Sequence, residues 1–69
     1  MNTKEMWIQV INVNTGRRVA INLSHVITIR ENDKEAIFNG RRTSIDFTDG
    51  TILETAEDFD KICSMKCGE

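Results

Sequence analysis

The basic side chains are the ones whose type and spacing suggest binding chemistry. Two arginine pairs each follow a turn that contains glycine, and a lysine lies between them in the chain; these residues are Arg17, Arg18, Lys34, Arg41 and Arg42. Guanidinium groups bind phosphate and carboxylate oxygens through paired hydrogen bonds. In an up-and-down sheet successive connections alternate between the two ends, so both pairs would lie at one end. This predicts a site for a nucleotide or another phosphorylated small ligand; the alternative is a solvated rim that keeps the sheet edges soluble.

Nucleic acid matches this basic cluster less well than a small anion or an acidic protein does. The chain carries a net charge of −2, and Phe38 is the one aromatic side chain near the cluster for stacking on a base. The charge is unevenly distributed, with a net +3 over residues 1–45 and −5 over residues 46–69. Such a distribution predicts a dipolar surface that steers association with a partner.

The residues available for nucleophilic catalysis are few. His25 is the only histidine, and its position at a strand corner favours a structural role over that of a base for Cys63 or Cys67. The two cysteines lie four apart in a helical segment, where an intrachain disulfide would close a very short loop. A metal site needs about four ligands, and the histidine is distant in sequence. We therefore expect two reduced thiols, with an intermolecular disulfide as the alternative, and no cofactor.

Acidic residues are concentrated around the start of the C-terminal helical segment. They are Glu54, Glu57, Asp58 and Asp60. Their spacing would permit a carboxylate dyad or a cation site. Acids near a helix N-terminus are also stabilised by the helix dipole and by capping, each by roughly 0.3–1 kcal/mol, and Thr55 or Asp58 could supply the cap. The capping interpretation is preferred, and the chain is not expected to be an enzyme.

The strands that position these side chains are indicated by apolar residues at every second position. The predicted strands are 6–13, 17–23, 26–30, 43–48 and 51–55. Asp49-Gly50 is predicted to form a two-residue hairpin turn with positive φ angles at both residues. After residue 55 the spacing of apolar residues becomes helical, which predicts a helix over about 57–66. The expected fold is one α+β domain over 1–69, a curled five-stranded antiparallel meander or partial barrel with one C-terminal helix.

The segment 31–42 is longer than a tight connection between strands. It contains Asn39-Gly40, a strong hairpin signal, but this dipeptide lies off-centre between the flanking strands. We expect an extended arm whose tip carries two apolar side chains, either folded back onto the core or buried against a partner. The expected function is that of a non-enzymatic interaction module that binds a partner protein through this arm. The residues predicted to bind that partner are Ile37, Phe38, Arg41 and Arg42.

A second apolar face remains on the predicted sheet. A chain of 69 residues buries only about 60% of its unfolded surface, and one helix of about ten residues covers one side of the sheet. Alternation places Trp7, Ile11, Ala20 and Ile52 on the other side. Either the sheet curls to hide both faces, or the second face meets another subunit. The sequence favours a homo-oligomer whose interface contains these four residues.

A cytoplasmic location is expected from the absence of targeting signals. The apolar run 6–13 is interrupted by Gln9 and Asn12, and no small-residue cleavage pattern follows it. No apolar stretch approaches the roughly 20 residues that a membrane span requires. The chain also lacks proline and has 29% charged residues, which is typical of a compact domain.

The order of these features is similar to that of a known family. A first strand beginning Met-Trp-Ile-Gln-Val and a glycine turn precede Val-Ala-Ile-Asn-Leu-Ser-His-Val-Ile at 19–27. An Ile-x-Phe strand, an Asp-Gly turn and a strand leading into a helix with Phe59 and Ile62 then follow. The chain thus resembles the short bacterial and phage proteins of the flagellar FlbD (SwrD) type. The resemblance implies the meander-plus-helix fold. It carries over no functional residue, because the matched positions are structural.

Overall fold

The alternating apolar residues form five strands, and the C-terminal helical spacing forms a helix. The computed structural model describes residues 6–67. The strands are β1 (Trp7–Asn12), β2 (Arg17–Asn22), β3 (Val26–Glu31), β4 (Thr43–Phe47) and β5 (Ile52–Thr55). A 3₁₀ turn spans Leu23–His25, and the helices are α1 (Lys34–Phe38) and α2 (Phe59–Cys67). None of the helices in this described part of the chain is long and apolar enough to cross a membrane.

The five strands form one antiparallel sheet in the order β2-β1-β5-β4-β3. Strands that follow one another in the chain are paired, except β2 and β3. In their place β1 pairs with β5, where Asn12 lies opposite Thr55 and the Val13 N–H donates to the Glu54 carbonyl at 3.0 Å. This is the strand order of a meander that curls round and stays open between β2 and β3. The predicted class, a curled antiparallel sheet with a C-terminal helix, is confirmed.

A small core fills the inside of the curled sheet. Its buried apolar residues are Val10, Ile21, Leu23, Val26, Ile45, Leu53 and Ile62. Each of the five strands contributes one of these residues, and α2 contributes Ile62, which is fully buried. Burial of each such side chain is worth about 1.5–3 kcal/mol. α2 is thus held against the core by the fully buried Ile62, together with the partly buried Met65.

The alternation predicted for β1 is observed in its burial. Val10 is 2% exposed, whereas Trp7 is 59% and Ile11 is 46% exposed. In β3 the pairing with β4 shifts between Val26 and Thr28. The shift is a bulge, which interrupts the alternation and leaves Ile27 exposed.

The segment before α2 is fixed by threonine and aspartate. The Thr55 hydroxyl accepts a hydrogen bond from the Glu57 N–H at 3.2 Å, and the buried Thr43 hydroxyl donates to the Glu57 carbonyl at 2.7 Å. The Asp58 carbonyl accepts from the Ile62 N–H at 3.1 Å, which is the first bond of the helix. Of the two predicted caps, Asp58 thus occupies the cap position and Thr55 closes the turn that precedes it. The helix begins at Phe59, two residues later than predicted.

The expected conformation of the Asp49-Gly50 turn is wrong in detail. Positive φ occurs at Gly50, at 90°, and at no non-glycine residue of the described chain. The Gly50 N–H donates to the Phe47 carbonyl at 3.0 Å, and the Phe47 N–H donates to the Thr51 carbonyl at 2.9 Å. The connection is therefore a three-residue loop with a glycine bulge. Asp49 keeps negative φ because its carboxylate accepts from the Thr51 N–H at 3.0 Å, which closes a local turn.

The expected extended arm is also wrong, because its centre is the short helix α1. The Asp33 carboxylate accepts a hydrogen bond from the Ala36 N–H at 2.9 Å and caps the start of the helix. At the other end Gly40 has a φ of 90°, and the Arg41 N–H donates to the Ala36 carbonyl at 2.8 Å. These are the features of a glycine C-cap. Asn39-Gly40 thus ends a helix, whereas the sequence suggested a hairpin turn.

Candidate functional site

Asn32 holds the two ends of the 31–42 arm together. Its N–H donates to the Arg42 carbonyl at 2.9 Å, and its side-chain amide donates to the Arg41 carbonyl at 3.0 Å. Its amide oxygen accepts from the Ser44 hydroxyl at 2.9 Å. These bonds join the start of the arm to its end and to β4. The sequence analysis missed this residue, because an asparagine beside a strand end has many structural uses.

The two apolar residues of the arm have different surroundings. Ile37 is half-buried, whereas Phe38 is 89% exposed, the highest exposure among the large hydrophobic side chains described. Phe38 is thus not folded back onto the core, and its burial against a partner stays a prediction. An exposed phenylalanine on a capped helix is an apolar contact surface held in a fixed position.

Arg41 is bound within the protein. Its Nε lies 3.3 Å from a Glu54 carboxylate oxygen and 3.3 Å from the Asn14 amide oxygen. The Asn14 side-chain amide in turn donates to Glu54 at 3.1 Å. The first turn and the arm thus meet at the same end of the sheet, as the alternation of connections requires. Because Arg41 already pairs with Glu54, its guanidinium group is less available to an external anion.

The other four members of the basic cluster lie at the surface. Within residues 6–67 they form no ion pair with an acidic side chain. These exposed residues are Arg17, Arg18, Lys34 and Arg42. Their charges are available to a ligand or a partner.

His25 and Asp49 are neighbours at the opposite end of the sheet. His25 is exposed, and its carbonyl accepts from the Thr48 N–H at 2.8 Å, which joins the 3₁₀ turn to the β4–β5 loop. Hydrogen bonds from the Thr51 hydroxyl, at 2.7 Å, and from the Thr51 N–H lower the pKa of Asp49 below its ordinary value of 3.8. The nearby His25 contributes in the same direction to a smaller extent. Asp49 is therefore a carboxylate at neutral pH.

Two of the acidic residues near α2 form separate ion pairs. Glu54 contacts Arg41, and Glu57 contacts Lys61 at 3.1 Å, one helical turn further on. Within the described residues, no three acidic, cysteine or histidine side chains are grouped closely enough to hold a metal ion. Cys63 is half-buried, and the side chain of Cys67 lies outside what the structure describes.

An open apolar groove of about 600 Å³ lies beside β2 and the β4–β5 loop. Its walls are residues 19–22 on one side and residues 47–49 and 51–53 on the other, with Trp7 and His25 at the margin. Three residues predicted for an oligomer interface line it, namely Trp7, Ala20 and Ile52, whereas Ile11 does not. Alternation identified these side chains as exposed and apolar. The groove itself depends on how the sheet curls, which no local pattern encodes.

Comparison with known proteins finds no family model, no curated protein and no solved structure that matches this chain. The likeness to the FlbD-type proteins stays a prediction from sequence. The surfaces described above are therefore the basis for assigning a function.

Proposed function

We propose that this protein is a non-enzymatic interaction module that binds a partner protein through the 31–42 arm. The observation that carries the proposal is the 89% exposure of Phe38 on a helix capped at both ends. An aromatic side chain that becomes fully desolvated in a pocket is a frequent anchor of protein interfaces. Burial of this ring would contribute about 1.5–3 kcal/mol of binding free energy before ordering costs.

The geometry around Phe38 supports this role. Asn32 and the two caps fix the helix before binding, so little conformational entropy is lost when a partner docks. The exposed Lys34 and Arg42 flank the ring in sequence and would orient an acidic partner. Ile37 is half-buried, which limits its direct part in contact.

The test compares two exposed apolar side chains. Phe38→Ala should abolish capture of the partner by the tagged protein and weaken titrated binding to the purified partner at least tenfold. Ile27→Ala is the matched control, since Ile27 is 64% exposed but lies on β3. Both variants should keep the unfolding free energy within about 0.5 kcal/mol of the parent. Unchanged capture by Phe38→Ala would contradict the proposal.

A second candidate is binding of a nucleotide or other phosphorylated small ligand. It is favoured by the exposure of Arg17, Arg18, Lys34 and Arg42 without ion pairs among residues 6–67. It ranks lower because Arg41 already contacts Glu54. Thermal unfolding with nucleoside mono-, di- and triphosphates decides it. Stabilisation should occur in the parent and disappear in an Arg41→Ala, Arg42→Ala double variant; no stabilisation of the parent would eliminate this candidate.

A further inference from the structure

The edge of β2 has backbone groups that no other strand uses. The Leu23 N–H donates to the Met6 carbonyl at 2.8 Å, and these residues lie opposite one another in the β1–β2 register. Antiparallel pairs alternate between bonded and non-bonded, so residues 19 and 21 also bond to β1. The N–H and C=O groups of residues 18, 20 and 22 consequently point away from β1, and of these three residues Arg18 and Ala20 are exposed, whereas Asn22 is buried at the start of the 3₁₀ turn. In the described chain no strand lies on that side of β2.

The apolar groove runs along this same edge. Side chains alternate between the two faces of a strand, so a groove over one face would be lined by every second residue. Here four successive residues, 19–22, line it. A smaller hollow of about 260 Å³, lined by Gln9 of β1 and by residues 18–20 of β2, shares Val19 and Ala20 with it. The opposite wall carries Phe47, Ile52 and Leu53, so an added strand would meet apolar side chains.

The charges at the two ends of the groove are opposite. Arg17 and Arg18 begin β2, and the Asp49 carboxylate lines the far end. A segment antiparallel to β2 would place its carboxyl-terminal side near the arginines and its amino-terminal side near Asp49. A parallel segment would reverse both charge pairings. A segment with a basic residue towards its amino-terminal end and an acidic residue towards its carboxyl-terminal end would therefore pair with both charges only when it runs antiparallel to β2.

We propose that this groove binds an extended peptide segment of a partner protein, added as a sixth strand antiparallel to β2. Backbone hydrogen bonds to residues 18 and 20 provide affinity, and apolar side chains at alternate positions enter the groove. The segment carries an acidic residue towards Arg18 and a basic residue towards Asp49. The groove volume of about 600 Å³ lies within the ~300–1,000 Å³ range of ligand sites. This site is separate from the arm and does not depend on Phe38.

The test uses four fluorescent heptapeptides with the pattern Lys-x-Ser-x-Ser-x-Glu, where x is Val, Leu, Ile or Phe. Peptides with the terminal charges exchanged are the controls. At least one Lys-first peptide should bind five times more tightly than its exchanged form, as measured by fluorescence anisotropy. The amide resonances of Arg18 and Ala20 should shift on binding. Two N-methylated peptides are compared, one methylated at the odd-numbered amides and one at the even-numbered amides. One of them should lose binding and the other should keep it, since only one set of amides faces β2.

Two protein variants complete the test. Asp49→Asn should remove the preference for the Lys-first peptide, whereas Asp60→Asn, on the exposed first turn of α2, should keep it. Phe38→Ala should leave peptide binding unchanged, which separates this site from the arm. Absence of binding by all four Lys-first peptides at millimolar concentration would overturn the proposal. So would protection of these two β2 amides by self-association that no peptide displaces, because the occupant would then be a second copy.

Discussion

Asn32 shows at the scale of one residue how the arm is fixed. We expect Asn32→Ala to lower the unfolding free energy by about 1–3 kcal/mol, because the buried Ser44 hydroxyl and the Arg41 carbonyl lose their partner. Asn39→Ala is the control, since its exposed amide makes a single bond to the Glu35 carbonyl at 3.1 Å. Urea unfolding measures the difference, and hydrogen exchange should accelerate in the arm of the first variant. Equal stability of the two variants would show that the hydrogen bonds of Asn32 do not hold the ends of the arm together.

Asp49, again a single residue, makes the stability of the fold depend on pH in the acidic range. Its pKa in the folded protein lies below the unfolded value, because Thr51 donates two hydrogen bonds to the ionised form. The resulting stabilisation is complete above about pH 4 and is lost as the pH falls through the folded-state pKa. We expect Thr51→Val to raise the pKa of Asp49 towards 3.8. Carboxyl-carbon NMR titration measures this, with Thr28→Val as control; an unchanged pKa in Thr51→Val would contradict the assignment.

At the scale of elements, α2 depends on one buried side chain. Ile62 is 0% exposed in the core, whereas Ile27 on β3 is 64% exposed. Ile62→Ala should cost about 2–5 kcal/mol, because it leaves a cavity between the helix and the sheet. Ile27→Ala should change stability by less than about 0.5 kcal/mol. Chemical denaturation of both variants checks this, and a small loss for Ile62→Ala would mean that α2 is held by other contacts.

The sequence predicted these elements where their physical signal is periodic. Alternation located the five strands and the buried face of β1, and helical spacing located α2. The prediction from sequence failed at Asn39-Gly40 and Asp49-Gly50, because glycine after asparagine or aspartate suits several kinds of turn. The Asp33 cap and the Thr51 hydrogen bonds decided between those turns. Such local competition between side chains leaves no periodic pattern.

At the scale of the whole molecule, two proposed interactions would compete for the same exposed apolar side chains. Self-association through Trp7, Ala20 and Ile52 stays a prediction, and the same side chains line the groove. We expect any oligomer that buries these residues to dissociate when a groove-binding peptide is added, because both need the same surface. Sedimentation velocity with and without the peptide measures this. An oligomer that binds the peptide and stays intact would place the subunit contact elsewhere.

The candidate sites were predictable to different extents. Phe38 and the basic cluster were identifiable, because a long segment between strands must protrude. The contact between Arg41 and Glu54 joins residues of the arm and β5, and it arises only when β4 and β5 pair. The groove likewise requires β2 to lie near the β4–β5 loop. Features of this kind are set by the curl of the sheet.

The opening between β2 and β3 has a consequence for how the chain folds. Because β2 and β3 do not pair, the strands fall into two units, the β1–β2 hairpin and the β3–β4–β5 unit. Within each unit every pairing joins strands that follow one another in the chain. Two of these pairings close over short turns and the β3–β4 pairing over the 31–42 arm, all shorter spans than the one between β1 and β5, so we expect both units to form before β1 meets β5. The remaining step is the meeting of β1 with β5, which joins Asn12 to Thr55 across most of the chain. We therefore expect the meeting of β1 with β5 to be the slow event in folding, and Val13 and Thr55 lie where it is completed.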